Sequence, residues 1–190
     1  MLAKVVIGLY DRINIGGWVL KRTWGISVVV TLMTGSWCAQ AAPPTYHLTD
    51  LGTLGGHTSH AEGINASGQV VGYSFSATDG RNARAFLYSG GMMIDSGQPF
   101  GGYTFAGDIN DSGQVSGIGD AVGSSHGFIF FNGIFTDLKP YGIQTANRIN
   151  SHGHVSGAKG SHAAVYADGA VTDLGTLGGS SSTGYGINGR

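Results

Sequence analysis

The chain has 190 residues, a formal net charge of −1, 35 glycines and a single cysteine. So few Lys and Arg exclude the clustered cationic face on which nucleic-acid binding rests, so no nucleic-acid partner is expected. One cysteine excludes a disulfide framework.

The first element in chain order is not part of a fold. Lys4, Arg12, Lys21 and Arg22 make a basic lead, residues 25–38 carry no charge, and Ala39-Gln40-Ala41 supplies a small-x-small site. This pattern predicts a secretory signal peptide over residues 1–41 and a mature domain over 42–190, placed in the periplasm, at the cell surface or outside the cell. The uncharged run falls short of the roughly 20 residues that span a bilayer, so no membrane association is expected once the leader is removed. Bulky Trp37 before Cys38 argues against a lipidated cysteine.

From Tyr46 onward the chain repeats itself. Ile64-Asn65-Ala66-Ser67-Gly68-Gln69-Val70-Val71-Gly72 returns as Ile109-Asn110-Asp111-Ser112-Gly113-Gln114-Val115-Ser116-Gly117 and as Ile149-Asn150-Ser151-His152-Gly153-His154-Val155-Ser156-Gly157, and in shortened form as Ile187-Asn188-Gly189. A period near 40 residues marks a repeat architecture in which each unit is one supersecondary element. Asn-x-x-Gly between apolar segments predicts a tight hairpin, with the Asn side chain bonding backbone two residues on and the Gly at positive φ. Asn65, Gly68, Asn110, Gly113, Asn150 and Gly153 are therefore assigned as structural turn residues. Aromatic third segments follow at 85–88, 127–131 and 164–166. Small turns then lead to fourth segments ending in Asp95, Asp137 and Asp173, giving four short strands per unit.

The element Asp50-Leu51-Gly52-Thr53-Leu54-Gly55-Gly56 matches Asp173-Leu174-Gly175-Thr176-Leu177-Gly178-Gly179, so the chain opens and closes in the middle of a unit. A lone last strand is expected over 46–52 and a lone first strand over 183–188, with three full units between them. The edges of such an array attract another chain unless charge, proline or a covering segment shields them, and residues 174–188 carry neither charge nor proline. Either self-association through open sheet edges, or a truncated member of a longer family that is marginally stable on its own, is expected.

The Asp-Leu-Gly-Thr-Leu-Gly-Gly linker, the Gly-Ile-Asn-x-x-Gly-Gln-Val-Val-Gly turn and a His-Ala-Phe-like third segment resemble the HAF family of bacterial extracellular repeat proteins. The tripeptide itself departs at one place in each copy: Arg84-Ala85-Phe86, His126-Gly127-Phe128 and His162-Ala163-Ala164. The resemblance implies export and a repeat fold, and brings no activity with it.

Candidate chemistry is sparse. Asp50, Asp95, Asp137 and Asp173 recur in register, as a carboxylate ring for metal or sugar would, but Asp bonds the backbone of a following turn routinely and that role is preferred. His57 with His60, and His152 with His154, have the spacing of metal ligands but no carboxylate or thiol beside them in sequence, so no metal and no cofactor is expected. Glycoside hydrolysis needs two carboxylates flanking one bond, and Glu62 is the sole glutamate. No Gly-x-Ser-x-Gly elbow, P-loop or dinucleotide fingerprint occurs. No catalytic residue is assigned.

The expected fold is all-β, with repeated four-stranded antiparallel units arranged like propeller blades in an incomplete ring; a β-solenoid or small β-sandwich is the alternative. The expected role is a surface or extracellular binding and interaction module for carbohydrate or another cell-surface ligand. Tyr73, Phe75, Phe100, Tyr103, Phe105 and Tyr141 are either its contact surface or its core. A polysaccharide-processing enzyme on the same scaffold is the alternative function.

Overall fold

The structure, a computed structural model, describes residues 12–15, 18–21, 45–76, 83–121 and 123–189. The chain forms two compact units, Met1–Tyr46 and His47–Arg190. In the first, β1 (Arg12–Ile15) and β2 (Trp18–Lys21) pair antiparallel, Ile15 opposite Trp18. The rest of the leader expected over 1–41 lies outside the described residues.

The second unit is three four-stranded antiparallel sheets, each a meander in sequence order. The first holds β3 (Gly55–Ile64), β4 (Val70–Ser76), β5 (Ala83–Ser89) and β6 (Met92–Gly97). The second holds β7 (Thr104–Ile109), β8 (Val115–Asp120), β9 (Ser125–Phe131) and β10 (Ile134–Asp137). One 3-10 turn, Lys139–Tyr141, leads to the third, with β11 (Ile143–Ile149), β12 (Val155–Lys159), β13 (His162–Ala167) and β14 (Ala170–Gly175). The fold is all-β with the repeated four-stranded unit expected from the sequence, and the sheets do not close into a barrel.

The core lies between sheets rather than within any one of them. Strand β7 packs against β3, β4 and β5, and β11 packs against β7, β8 and β9. Val71, Ala85, Ala106, Ile109 and Val115 form one buried cluster joining the first two sheets. Leu138, Ile143, Ala146, Ile149, Val155 and Ala164, with Ile129 against them, form the second. A four-stranded sheet with both faces wet has nowhere to put its apolar residues, so each unit is stabilised by its neighbour.

The glycine that closes each turn motif has a steric purpose. Gly117 on β8 lies opposite Phe128 on β9, and a Cβ built there would overlap the Phe128 ring and the Phe105 carbonyl. Phe128 and its counterpart Phe86 are fully buried, so the recurring phenylalanine of the third segment is core.

Two expectations are corrected. Residues 46–52 and 183–188 are not strands. A first strand takes its ladder from the return strand of its own hairpin, as β7 does from β8, and 183–188 pairs with no return strand among the described residues. Residues 46–50 are exposed and pair with no sheet among the described residues.

Candidate functional site

The turn residues are tied into a chain of hydrogen bonds that runs through all three sheets. Asn110 Oδ1 accepts from the Ser112 and Gln114 backbone N–H groups at 3.1 and 2.9 Å, and its backbone N–H donates to the Gln114 carbonyl. Asn65 and Asn150 do the same in their own turns. Gly68, Gly113 and Gly153 sit at φ of 74°, 83° and 82°, the left-handed region that glycine enters without strain.

The remaining Nδ2 protons reach the next unit. Asn65 donates to the Asn110 carbonyl at 3.2 Å, Asn110 to the Asn150 carbonyl at 2.9 Å and Asn150 to the Asn188 carbonyl at 2.8 Å. All three donors are buried and bonded, so these residues hold the array in register and are not free to bind a ligand.

Three residues before each ladder asparagine, the first strand of each sheet bulges. The pairing slips between Ala61 and Gly63, between Ala106 and Asp108, and between Ala146 and Arg148, leaving Glu62, Gly107 and Asn147 outside the ladder. Tyr185, three residues before Asn188, is their counterpart in the terminal segment. All four line a single cavity of about 270 Å³. Bulges commonly re-aim side chains beside functional sites, and here equivalent positions of successive units converge.

The cavity is amphipathic. Tyr73 from β4 and Phe105 from β7 line one part, their rings edge to face at 4.6 Å, with His60 stacked on Tyr73 at 4.8 Å. Glu62, Asn147 and Arg148 supply polar groups. Arg148 Nη1 donates to the carbonyls of Gly107 and Asn147 at 3.0 and 2.9 Å, which fixes the guanidinium across two adjacent first strands. The neighbouring Asp108 is spent on structure: its two oxygens accept from the backbone N–H groups of Ile109 and of Ile149 in the next unit. Glu62 is exposed and has no protein partner among the described residues.

The recurring aspartates lie away from this cavity. One oxygen of Asp50, Asp95, Asp137 and Asp173 accepts from a backbone N–H two residues on, at 2.8 to 2.9 Å. In the last three, the side chain also meets the first residue of the tripeptide, always 11 positions earlier: Arg84 at 2.8 Å, His126 at 2.9 Å and His162 at 3.0 Å. The Gly175 N–H first, then His162, hold the Asp173 pKa below the usual carboxylate range. His152 stacks on His154, whose Nε2 lies 3.5 Å from Asp168. No group of three or more His, Cys, Asp or Glu among the described residues is placed to hold a metal ion.

Phe100 and Tyr141 do not line the cavity. Phe100 stacks on His126 at 4.8 Å, and Tyr141 meets Tyr166 edge to face at 5.2 Å, where burial and then Tyr141 raise the Tyr166 pKa. The bulge position escaped the sequence analysis because it holds a different residue in every unit. Its signal is that variability itself, at a fixed offset from an unvarying Ile-Asn pair. The chain matches no protein-family model, no curated protein and no solved structure.

Proposed function

We propose that the protein is an exported repeat protein that acts as a binding module, taking a carbohydrate in the cavity where the bulged first strands converge. The observation that carries this reading is the convergence of Glu62, Gly107, Asn147 and Tyr185, structurally equivalent but chemically different, on one cavity. Aromatic faces for the C–H surface of a sugar ring, with Glu62, Asn147 and Arg148 for its hydroxyls, fit a saccharide better than a purely apolar ligand. A volume just under the roughly 300–1,000 Å³ of drug-sized sites suits one sugar ring or the end of a chain. The resemblance to HAF repeats and the leader expected at 1–41 support an extracellular setting, which intact-mass analysis of exported protein checks by a mature chain starting near Ala42.

Glycan-array screening followed by calorimetry tests the ligand. Tyr73→Ala should weaken binding at least tenfold, about 1.4 kcal/mol, with the fold intact by circular dichroism. Absence of binding to any glycan sinks the reading. The unpartnered Glu62 carboxylate favours the enzymatic alternative, which turnover of a polysaccharide abolished by Glu62→Gln without unfolding would establish.

A further inference from the structure

The stretch 172–188 copies 49–65: both read Thr-Asp-Leu-Gly-Thr-Leu-Gly-Gly, then a serine three residues on, then Gly-Ile-Asn. Their linkers also fold alike. Asp50 and Asp173 each bond the glycine N–H two residues later. Thr53 and Thr176 donate to the carbonyls of Gly56 and Gly179, and Ser59 and Ser182 to those of Gly52 and Gly175. The two linkers therefore make the same bonds, but in different surroundings.

The later copy lies on a sheet. Ser182 N–H donates to the Ser161 carbonyl and Gly184 N–H to the Gly157 carbonyl, Asn147 Nδ2 reaches the Gly184 carbonyl, and Asn150 Nδ2 reaches that of Asn188. Residues 180–189 thus occupy the place of a next first strand over the third sheet, held by a few bonds, paired with no return strand among the described residues, and with Ile187 only half-buried.

The earlier copy is the reverse, a complete first strand with no sheet in front of it among the described residues. Ile64 is 68% exposed, whereas its equivalents Ile109 and Ile149 are 4% and 5% exposed against the sheet before them. Ala61 is exposed where Ala106 and Ala146 are buried. The Asn110 and Asn150 carbonyls each accept two donors, from their own turn glycine and from the preceding unit's asparagine. The Asn65 carbonyl accepts from Gly68 alone among the described residues.

We propose that the occupant of this face is a second copy of the chain: β3 of one copy docks on the β11–β14 sheet of another, displacing residues 180–189 there. Ile64 takes the place of Ile187, and the Asn65 carbonyl accepts the proton that Asn150 Nδ2 otherwise gives to Asn188. A hairpin backed by a whole sheet covers more apolar surface than the lone segment it replaces, which drives the exchange. The contact joins unlike surfaces, so copies assemble head to tail; two such contacts around a twofold axis would bring six sheets together, within the roughly four to eight of closed propellers.

Sedimentation velocity of the full chain across a hundredfold concentration range tests this. The wild type should reach a mass of at least two copies. Ile64→Asp, at a position exposed in the single copy, should stay a single copy with an unchanged circular dichroism spectrum. Removal of residues 180–189 should tighten association at least tenfold, because the competing segment is gone. The proposal is overturned by single copies at every concentration for both the wild type and the shortened chain, by association of Ile64→Asp equal to wild type, or by a deletion that leaves association unchanged or weaker. Docking takes Tyr185 out of the proposed saccharide cavity, but none of these readouts depends on a saccharide, so they stand or fall apart from the proposed ligand.

Discussion

Strands β3 and β7 share a motif, a bulge and a hairpin turn, but not an environment. Both end in Ile-Asn, both slip register three residues before that Asn, and both pair antiparallel with the strand after the turn. Strand β7 has a sheet in front of it and buries Thr104, Ala106 and Ile109. Strand β3 has none among the described residues, and neither Ile64 nor Ala61 is buried. Local sequence therefore decides the backbone, while the neighbouring unit decides burial and with it the energy each apolar side chain contributes.

That separation is testable at its largest effect by paired substitutions. Ile109→Ala removes buried methyl groups from the cluster joining the first two sheets and should cost about 2–5 kcal/mol of unfolding free energy. Ile64→Ala, the same change at the exposed equivalent, should stay within about 0.5 kcal/mol when measured on single copies. Urea unfolding of both variants at low protein concentration checks the pair, and equal losses would break the comparison.

A backbone change should behave in the opposite way. Gly68 and Gly113 hold nearly the same positive φ, with open space around the first and only the Gln69 side chain near the second. Valine at either place meets backbone strain rather than a clash, so Gly68→Val and Gly113→Val should each cost about 1–3 kcal/mol. Thermal melts giving similar losses would sharpen the comparison, since strain is local where burial is not. A melt unmoved by Gly113→Val would remove the basis for assigning these hairpins.

The parts of this molecule legible in its sequence are the local ones. Asn-x-x-Gly specifies its own turn through bonds two and four residues away, and Asp-x-Gly specifies its linker, so the four-strand unit and its period follow from spacing alone. What depends on a neighbour was not legible. The strands expected over 46–52 and 183–188 lack the partners that would make them strands. The asparagine Nδ2 bonds cross 38 to 45 residues, and nothing in a single turn announces them. The cavity is built from the one position that varies, which a search for repetition passes over. The tripeptide departs from its pattern in every copy, yet the 11-residue offset of His126 and His162 from Asp137 and Asp173 is visible in the sequence and marks a pair.

The smallest effect concerns that pair, at the two ends where the linker recurs. Asp50 and Asp173 each accept from a glycine N–H, but only Asp173 also meets a third-strand side chain, His162 on β13. Its pKa is lowered, by the Gly175 N–H first and His162 next, so its folded-state value lies below its unfolded one. A group of this kind stabilises the fold above its unfolded pKa, and the contribution fades as pH falls through the folded value. The window is therefore acidic, beginning near the ordinary carboxylate range and extending below it. Because the carboxylate is well exposed, solvent screens most of the interaction and the shift in stability is small. Asp173→Asn should lower the melting temperature slightly at neutral pH and match wild type once the carboxyl is protonated, while Asp50→Asn, with no histidine to lose, should change it less at neutral pH. Melting curves from pH 7 down to acid, with the Asp173 carboxyl followed by NMR, check both; a deficit in Asp173→Asn that persists or grows in acid would show that the residue acts through shape and not through charge.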